Sequence, residues 1–254
     1  MKKGVSIREL LASEPRLIRL PSKGKAVFIG DTHGDFDATE IIFRRYFRPG
    51  YTLVFLGDYV DRGEESRKNI EFLLEKKVEA PKQIYLLAGN HEGYCSVPFH
   101  PADFWEELSA EDLKVFSMIC GNLPFAAVTE NGIIAAHGAV PDMKSPENIN
   151  DIQTGNDEWH QLTWGDFQDE PGELIGHNSG RPLFGKDYFR RTMKQLGANV
   201  LIRSHQHSIQ PVIFDRQCLT LMTSYAYDFT RSIAIADLEK PVINSTDDLI
   251  IEEI

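Results

Sequence analysis

Five short polar strings, each directly behind an apolar run, constrain this chain more than any other feature. Gly30-Asp-Thr-His-Gly34 follows Ala26–Ile29, Gly57-Asp-Tyr-Val-Asp-Arg-Gly63 follows Thr52–Leu56, and Gly89-Asn-His-Glu92 follows Gln83–Ala88. Two later segments, Ile133-Ile-Ala-Ala-His-Gly138 and Val200-Leu-Ile-Arg-Ser-His205, repeat the pattern. The runs lack polar alternation, which suits strands buried on both faces. Helical spacing over Phe36–Phe47 and Ser66–Lys77 gives the first three runs a β-α-β-α-β order. In such a sheet ligands gather outside the carboxyl ends of the strands, where the strings sit.

The residue types set what can bind there. Asp31 and His33, two apart at a strand end, are expected on the same side, and Asp58 can reach the same point. A carboxylate has two oxygens and can bridge two cations; Asp58 is the candidate bridge, with Asn90 giving a neutral oxygen beyond it. His137 and His205 complete a second site. Mixed oxygen and nitrogen ligation with no Cys in the strings favours Mn, Fe or Zn. Any one string alone reads as turn chemistry. Five strand-end strings together read as a two-metal hydrolase centre.

From about Ala26 to about Asp237 the chain resembles the PPP-family serine/threonine protein phosphatases of the calcineurin-like metallophosphoesterase superfamily. The resemblance is carried by GDTHGD, GDYVDRG, GNHE, HGA, Trp164-Gly-Asp166, Asn178-Ser-Gly-Arg181 and RSHQ ending in Gln206. It implies an α/β four-layer sandwich, two mixed sheets face to face and flanked by helices. It also implies two divalent metal ions, one held by Asp31, His33 and Asp58, the other by Asp58, Asn90, His137 and His205. By the same resemblance His91 is the general acid, Asp61 orients it, Arg62 and Arg181 bind the phosphate oxygens, and Tyr227 lies over the site. Substrate-binding residues are then Arg62, Asn90, Arg181 and Tyr227. The implied reaction is hydrolysis of phosphoserine and phosphothreonine esters by direct attack of a metal-bridging hydroxide. A small-molecule phosphohydrolase, such as a dinucleoside tetraphosphate hydrolase, is the alternative; Asp61-Arg62-Gly63 and Glu92 favour the phosphatase. The chain departs from the family at Ala139, where a second Gly is usual, and over Thr223–Asp228, where Asp228 replaces a Cys.

The 254 residues carry a formal charge of −11. That disfavours nucleic acid and anionic membranes as partners. A phosphoprotein must then be drawn by local charge, from the cations with Arg62, Arg181 and Arg203, acting within a Debye length of about 8 Å. Three widely spaced cysteines, Cys95, Cys120 and Cys218, imply no disulfide framework and a reducing, cytoplasmic setting. No run of 18 apolar residues predicts a membrane span. One catalytic domain over 1–254 is expected, with a lead segment over 1–24 and an acidic tail over 246–254.

Asn131-Gly132 reads as a hairpin turn. Asp142 to Gly180, rich in Pro, Gly, Asn and Asp, reads as a long irregular loop leading to Arg181. A helix over Lys186–Leu196 and strands over Val200–Arg203, Pro211–Phe214, Leu219–Thr223 and Ser232–Asp237 are expected to build a second, partly antiparallel sheet. His100, His160, His177 and His207 are read as surface residues, with His207 the substitute ligand should His205 not serve.

Overall fold

In the computed structural model, which describes residues 6–227 and 230–254, the three leading apolar runs form the parallel strands Lys25–Ile29, Tyr51–Phe55 and Ile84–Leu86. The helices Phe36–Tyr46 and Ser66–Glu79 make the crossovers. The first starts where Asp35 accepts the Ala38 N–H, with Asp37 in the first turn and Arg44 and Arg45 in the last, all suited to the helix dipole. Ile42, Phe43 and Tyr46 lie on its buried side.

Successive strand residues enter two different cores, which is why the runs show no polar alternation. Ala26, Phe28, Val54 and Leu56 pack with Ala127, Ile133, Ala135, Val200, Ile202 and Leu219 of the second sheet. Val27, Ile29, Leu53 and Phe55 point the other way, into the cluster holding Ile42, Phe43, Ile70 and Leu73 of the helices. The second sheet runs Leu17–Arg19, Ala126–Val128, Ile133–Ala136, Val200–Arg203, Cys218–Thr220, Val212–Ile213. Its outward residues Ile134, Ala136, Leu201 and Cys218 join the cluster that includes Phe189 and Met193 of the helix Lys186–Leu196. The result is an α/β sandwich of two mixed sheets clad in helices, and the polar strings emerge together at one rim.

Two expectations need correction. Ser232–Asp237 does not join the second sheet; it pairs antiparallel with Lys25–Ile29 and carries Ile250–Glu253 on its outer side. Its alternation of Ile233 and Ile235 with Ala234 and Ala236 suits either sheet, and only distant pairing decides. The segment Asp142–Gly180 is not a long irregular loop. It holds the 3-10 turn Pro146–Asp151, the helix Asp157–Trp164 and the strands Asp166–Phe167 and Leu174–Asn178, which build a three-stranded sheet with Arg181–Phe184. Its Asn and Gly residues act as punctuation: Asn156 caps the helix, and Ser179 and Gly180, with φ of 51° and 87°, make a two-residue hairpin.

The hairpin at Asn131-Gly132 forms as expected, joining Ala126–Val128 to Ile133–Ala136. The tail segment forms a 3-10 turn, Thr246–Asp248, and then the edge strand Ile250–Glu253. Among the described residues no helix is long and apolar enough to cross a membrane. All three cysteines are free. Lys2, Lys3 and Asp228 lie outside the described residues.

Candidate active site

Asp31 and His33 sit in the loop just past the strand end at Ile29, Asp31 in an isolated parallel bridge with Met222 and His33 in the turn that follows, so strand alternation does not aim them. Hydrogen bonds from Thr32 and His33 N–H to the Asp58 carbonyl (3.1 and 2.9 Å) and from Gly34 N–H to the Tyr59 carbonyl (2.9 Å) fold that loop onto the next one. The fold is tight. His33, Asp58, Asp61, Arg62 and His205 all adopt positive φ, between 42° and 72°. Such conformations are costly for these residues and concentrate where function dictates side-chain aim. A Cβ on Gly89 would lie 2.2 Å from Asp58 Oδ1, so only Gly lets the third string approach.

The side chains converge on Asp58. Its Oδ2 lies 3.4 Å from His137 Nε2, 3.7 Å from His33 Nε2 and 3.9 Å from His91 Nε2. Asp31 Oδ2 is 3.7 Å from His33 Nε2, and Asn90 Oδ1 is 3.1 Å from His137 Nε2. Two groups, His33–Asp58–His91 and Asp58–His137–His205, each present ligand atoms within 4.8 Å of one another, and Asp58 belongs to both.

These residues suit metal ions on their own geometry. His33 donates Nδ1–H to the Val60 carbonyl and His137 donates Nδ1–H to the Leu56 carbonyl, each at 2.9 Å. Those bonds fix the rings so that Nε2 faces inward, the usual support for a ligating imidazole. His205 Nε2 is buried without a hydrogen-bond partner. Burial and the neighbouring His91 depress the His33 imidazole to about 3, and burial with His137 holds His205 well below its ordinary range, so both stay neutral with a lone pair to offer. Burial and the charge of Asp58 push the Asp31 carboxyl up to about 6. Burial also works against ionised Asp58, but His137, His91 and His33 outweigh it and hold that carboxyl well below the usual range. His137 rises to about 9 because Asp58 and Asp31 overcome its own burial. Buried acids and imidazoles at this density are what a cation relieves.

A second layer holds His91. Asp61 Oδ2 sits 2.6 Å from His91 Nδ1, and Asp61 Oδ1 accepts the Phe104 N–H. Trp105 Nε1 donates to the His91 carbonyl, which gives the Phe104-Trp105 pair a structural role in keeping with core packing. Burial lowers the His91 pKa, but Asp58 and Asp61 more than compensate and leave it raised.

Glu92 fastens the loops. It accepts from the N–H groups of Asp58 (2.8 Å), Tyr59 (2.9 Å) and Gly89 (2.9 Å). Glu92→Ala would leave three buried donors unpaired at about 1–3 kcal/mol each, so a destabilisation above about 3 kcal/mol is expected by urea titration. Glu92→Gln, which keeps one strong acceptor oxygen, should fall between; equal midpoints for Ala and wild type would remove Glu92 from this role.

The rim is completed from distant parts of the chain. Arg62 donates Nε–H to Tyr227 Oη (2.6 Å) and Nη1–H to the Pro101 carbonyl (2.8 Å). Arg181 Nη1 lies 3.9 Å from Asp166 Oδ2. A cavity of about 120 Å³ results, lined among others by Asp58, Arg62, Asn90, His91, Arg181 and Tyr227. His100 and His207 are exposed, as expected, and also line the cavity, and His207 stacks on Tyr227 at 4.3 Å between ring centres. His205, not His207, joins the Asp58 group.

Arg203 does not face this cavity; it is fully buried and donates to the Gly165 carbonyl and Gln206. Asp166 is the neighbour that sequence reasoning named without giving it a role. It is fully buried, Oδ2 faces Arg181 and Asn178, and Oδ1 lies 3.5 Å from His205 Nε2.

Residues 24–208 match the family model for calcineurin-like phosphoesterases. Among solved structures the chain is similar to a protein serine/threonine phosphatase from Saccharomyces cerevisiae with similarity to human phosphatase PP5, at TM-score 0.82 and 22% identity over 98% of this chain and 86% of that one. It is also similar to the cold-active protein-tyrosine phosphatase of a psychrophilic Shewanella species, at TM-score 0.60 and 14% identity over 96% and 84%. A protein provisionally identified as a diadenosine tetraphosphatase aligns at TM-score 0.57 and 15% identity over 94% and 98%. At these identities the likeness is one of fold. With the match over residues 24–208, a span that holds every string converging on Asp58, the chain belongs to the calcineurin-like phosphoesterase family.

Proposed function

We propose that this phosphoesterase is a metal-dependent serine/threonine protein phosphatase. The observation that carries the reading is the buried His91–Asp61 pair, 2.6 Å apart, with His91 opening onto the cavity. An alkoxide from serine or threonine is a poor leaving group and needs a proton as the bond breaks. A phosphoanhydride, as in a dinucleoside polyphosphate, leaves readily without one. A held general acid is therefore more useful to a phosphoprotein phosphatase.

Asp31, His33, Asp58, Asn90, His137 and His205 would hold two divalent ions, Mn, Fe or Zn by ligand type, which when bound polarise phosphoryl oxygens and acidify water. The remaining work falls to the chain. Arg62 and Arg181, from separate parts of the chain, both line the cavity and bind oxygens that gain charge in the transition state. His91 passes its proton to the leaving oxygen, and Asp61 keeps the ring aimed and charged. The small cavity admits the phosphate, and the rest of the substrate stays outside. A further cavity of about 760 Å³ is lined by Phe167, Asn178, Leu183, Gln206 and Ile209. The free thiols suit a reducing cytoplasm.

The deciding experiment is a substrate panel with Mn²⁺: phosphoserine, phosphothreonine and phosphotyrosine peptides beside dinucleoside polyphosphates. Highest kcat/KM on phosphoserine or phosphothreonine is expected; preference for a dinucleoside polyphosphate would overturn the reading. Arg62→Ala and Arg181→Ala should each lower kcat/KM by roughly 10- to 10²-fold, the equivalent of about 1.5–3 kcal/mol for a charge-assisted hydrogen bond. Metal content should hold, and Lys should rescue only in part because a point charge lacks the bidentate fork. Wild-type kinetics in either variant would reject that arginine as a phosphate ligand.

A further inference from the structure

Arg231 and Asp35 stand apart from the ligand set, yet they tie the two segments that meet over the cavity. Asp35 caps the helix directly behind the His33 loop. Its Oδ2 accepts the Tyr225 N–H (3.0 Å) and Arg231 Nε–H (2.9 Å), and its Oδ1 accepts Arg231 Nη2–H (2.6 Å). Arg231 Nη1 donates to Asp37 (2.7 Å), and its guanidinium lies 3.9 Å from the centre of the Tyr225 ring. The Arg231 side chain is 7% exposed, held against the start of the helix Phe36–Tyr46. Each of the three guanidinium nitrogens thus donates to a carboxylate, and Asp35 also takes the Tyr225 N–H, two residues before Tyr227.

Tyr227 is in turn the partner of Arg62, with its hydroxyl 2.6 Å from Nε. Its ring sits edge-on to His33 at 5.3 Å and stacked on His207. Tyr227 is 40% exposed, so its own contacts leave it partly open to solvent. A guanidinium is useful to phosphate only when its fork is aimed before the substrate arrives. We propose that Arg231, acting through Asp35, is a positioning residue for the phosphate clamp: it fixes Tyr225–Tyr227 so that the Tyr227 hydroxyl holds Arg62 toward the cavity. The inference rests on the phosphatase reading for Arg62 but is tested independently of turnover.

The test is a double-mutant cycle on the metal-loaded protein. Arg231→Gln and Tyr227→Phe, alone and combined, are compared by kcat/KM on p-nitrophenyl phosphate and by calorimetric affinity for inorganic phosphate. Each single change should weaken phosphate by about tenfold, the usual worth of one hydrogen bond to a charged group. In the Tyr227→Phe background, Arg231→Gln should add less than about twofold, because residues in one network do not act additively. Asp35→Asn is the second route should Arg231→Gln fail to fold, since Asn retains the helix cap while losing the charge that Arg231 grips. Arg231→Lys should restore only part of the affinity. Fully additive losses, or wild-type phosphate affinity in both Arg231→Gln and Asp35→Asn, would overturn the inference and leave the phosphatase reading intact. A wild-type chain that hydrolyses no phosphomonoester would reject that reading, while the phosphate calorimetry would still decide on the tie.

Discussion

Asp58→Asn is expected to lower metal content at both positions of the purified protein and to reduce turnover more than any other single change. Asp58 is the only residue common to both potential ligand groups among the described residues. Its Oδ2 faces His137 and His33, while Oδ1 accepts the His91 N–H at 2.9 Å. Asn can preserve the shape and the Oδ1 contact. It cannot supply the anion that three imidazoles surround, nor a second oxygen able to bridge. The loss should therefore exceed the roughly 10–100-fold typical of residues that merely support metal ligands. Elemental analysis beside steady-state kinetics checks it: full occupancy at two metals per chain in Asp58→Asn would sink the bridging assignment.

Much of this centre is legible in sequence because it is local. Each string pairs a buried strand with a polar turn, and residues at the ends of neighbouring parallel strands are brought together by the sheet itself. Asp31, His33, Asp58, Asn90 and His91 need only that rule. The reason given for Asp31 and His33 was nevertheless mistaken. Strand alternation does not aim them; the backbone bonds to Asp58 and Tyr59 and the left-handed turn at His33 do. The pairing of Ser232–Asp237 with the first sheet was not legible, since its apolar pattern satisfies either sheet. Nor was the burial of Arg203, whose guanidinium reaches the Gly165 carbonyl 38 residues back in the chain as well as the nearby Gln206 side chain. The three-stranded sheet carrying Arg181 was hidden because its strands are short and its Gly and Asn residues resemble those of coil. The one local signal for it was Asn178-Ser-Gly-Arg181, a hairpin with two positive-φ centres.

His91→Asn should lower kcat on a phosphoserine or phosphothreonine peptide by about 10²–10⁴-fold, the range for a positioned general acid. The supporting structure makes this a clean change. Trp105 grips the His91 carbonyl and Asp58 accepts its N–H, so the backbone keeps its place, and Asp61 retains the Phe104 N–H. What disappears is the proton at the end of a ring held by Asp61. The loss should shrink on p-nitrophenyl phosphate, because an aryl oxide with low basicity departs with little help. That contrast separates acid catalysis from placement of the phosphate, which would affect both esters alike. His91 Nε2 also lies 3.9 Å from Asp58 Oδ2, near enough for the ring to be tested as a metal ligand in the same experiment. Two metals per chain in His91→Asn, with a larger defect on the alkyl ester, is the expected result; loss of a metal, or an equal defect on the two esters, would remove His91 from the role of acid.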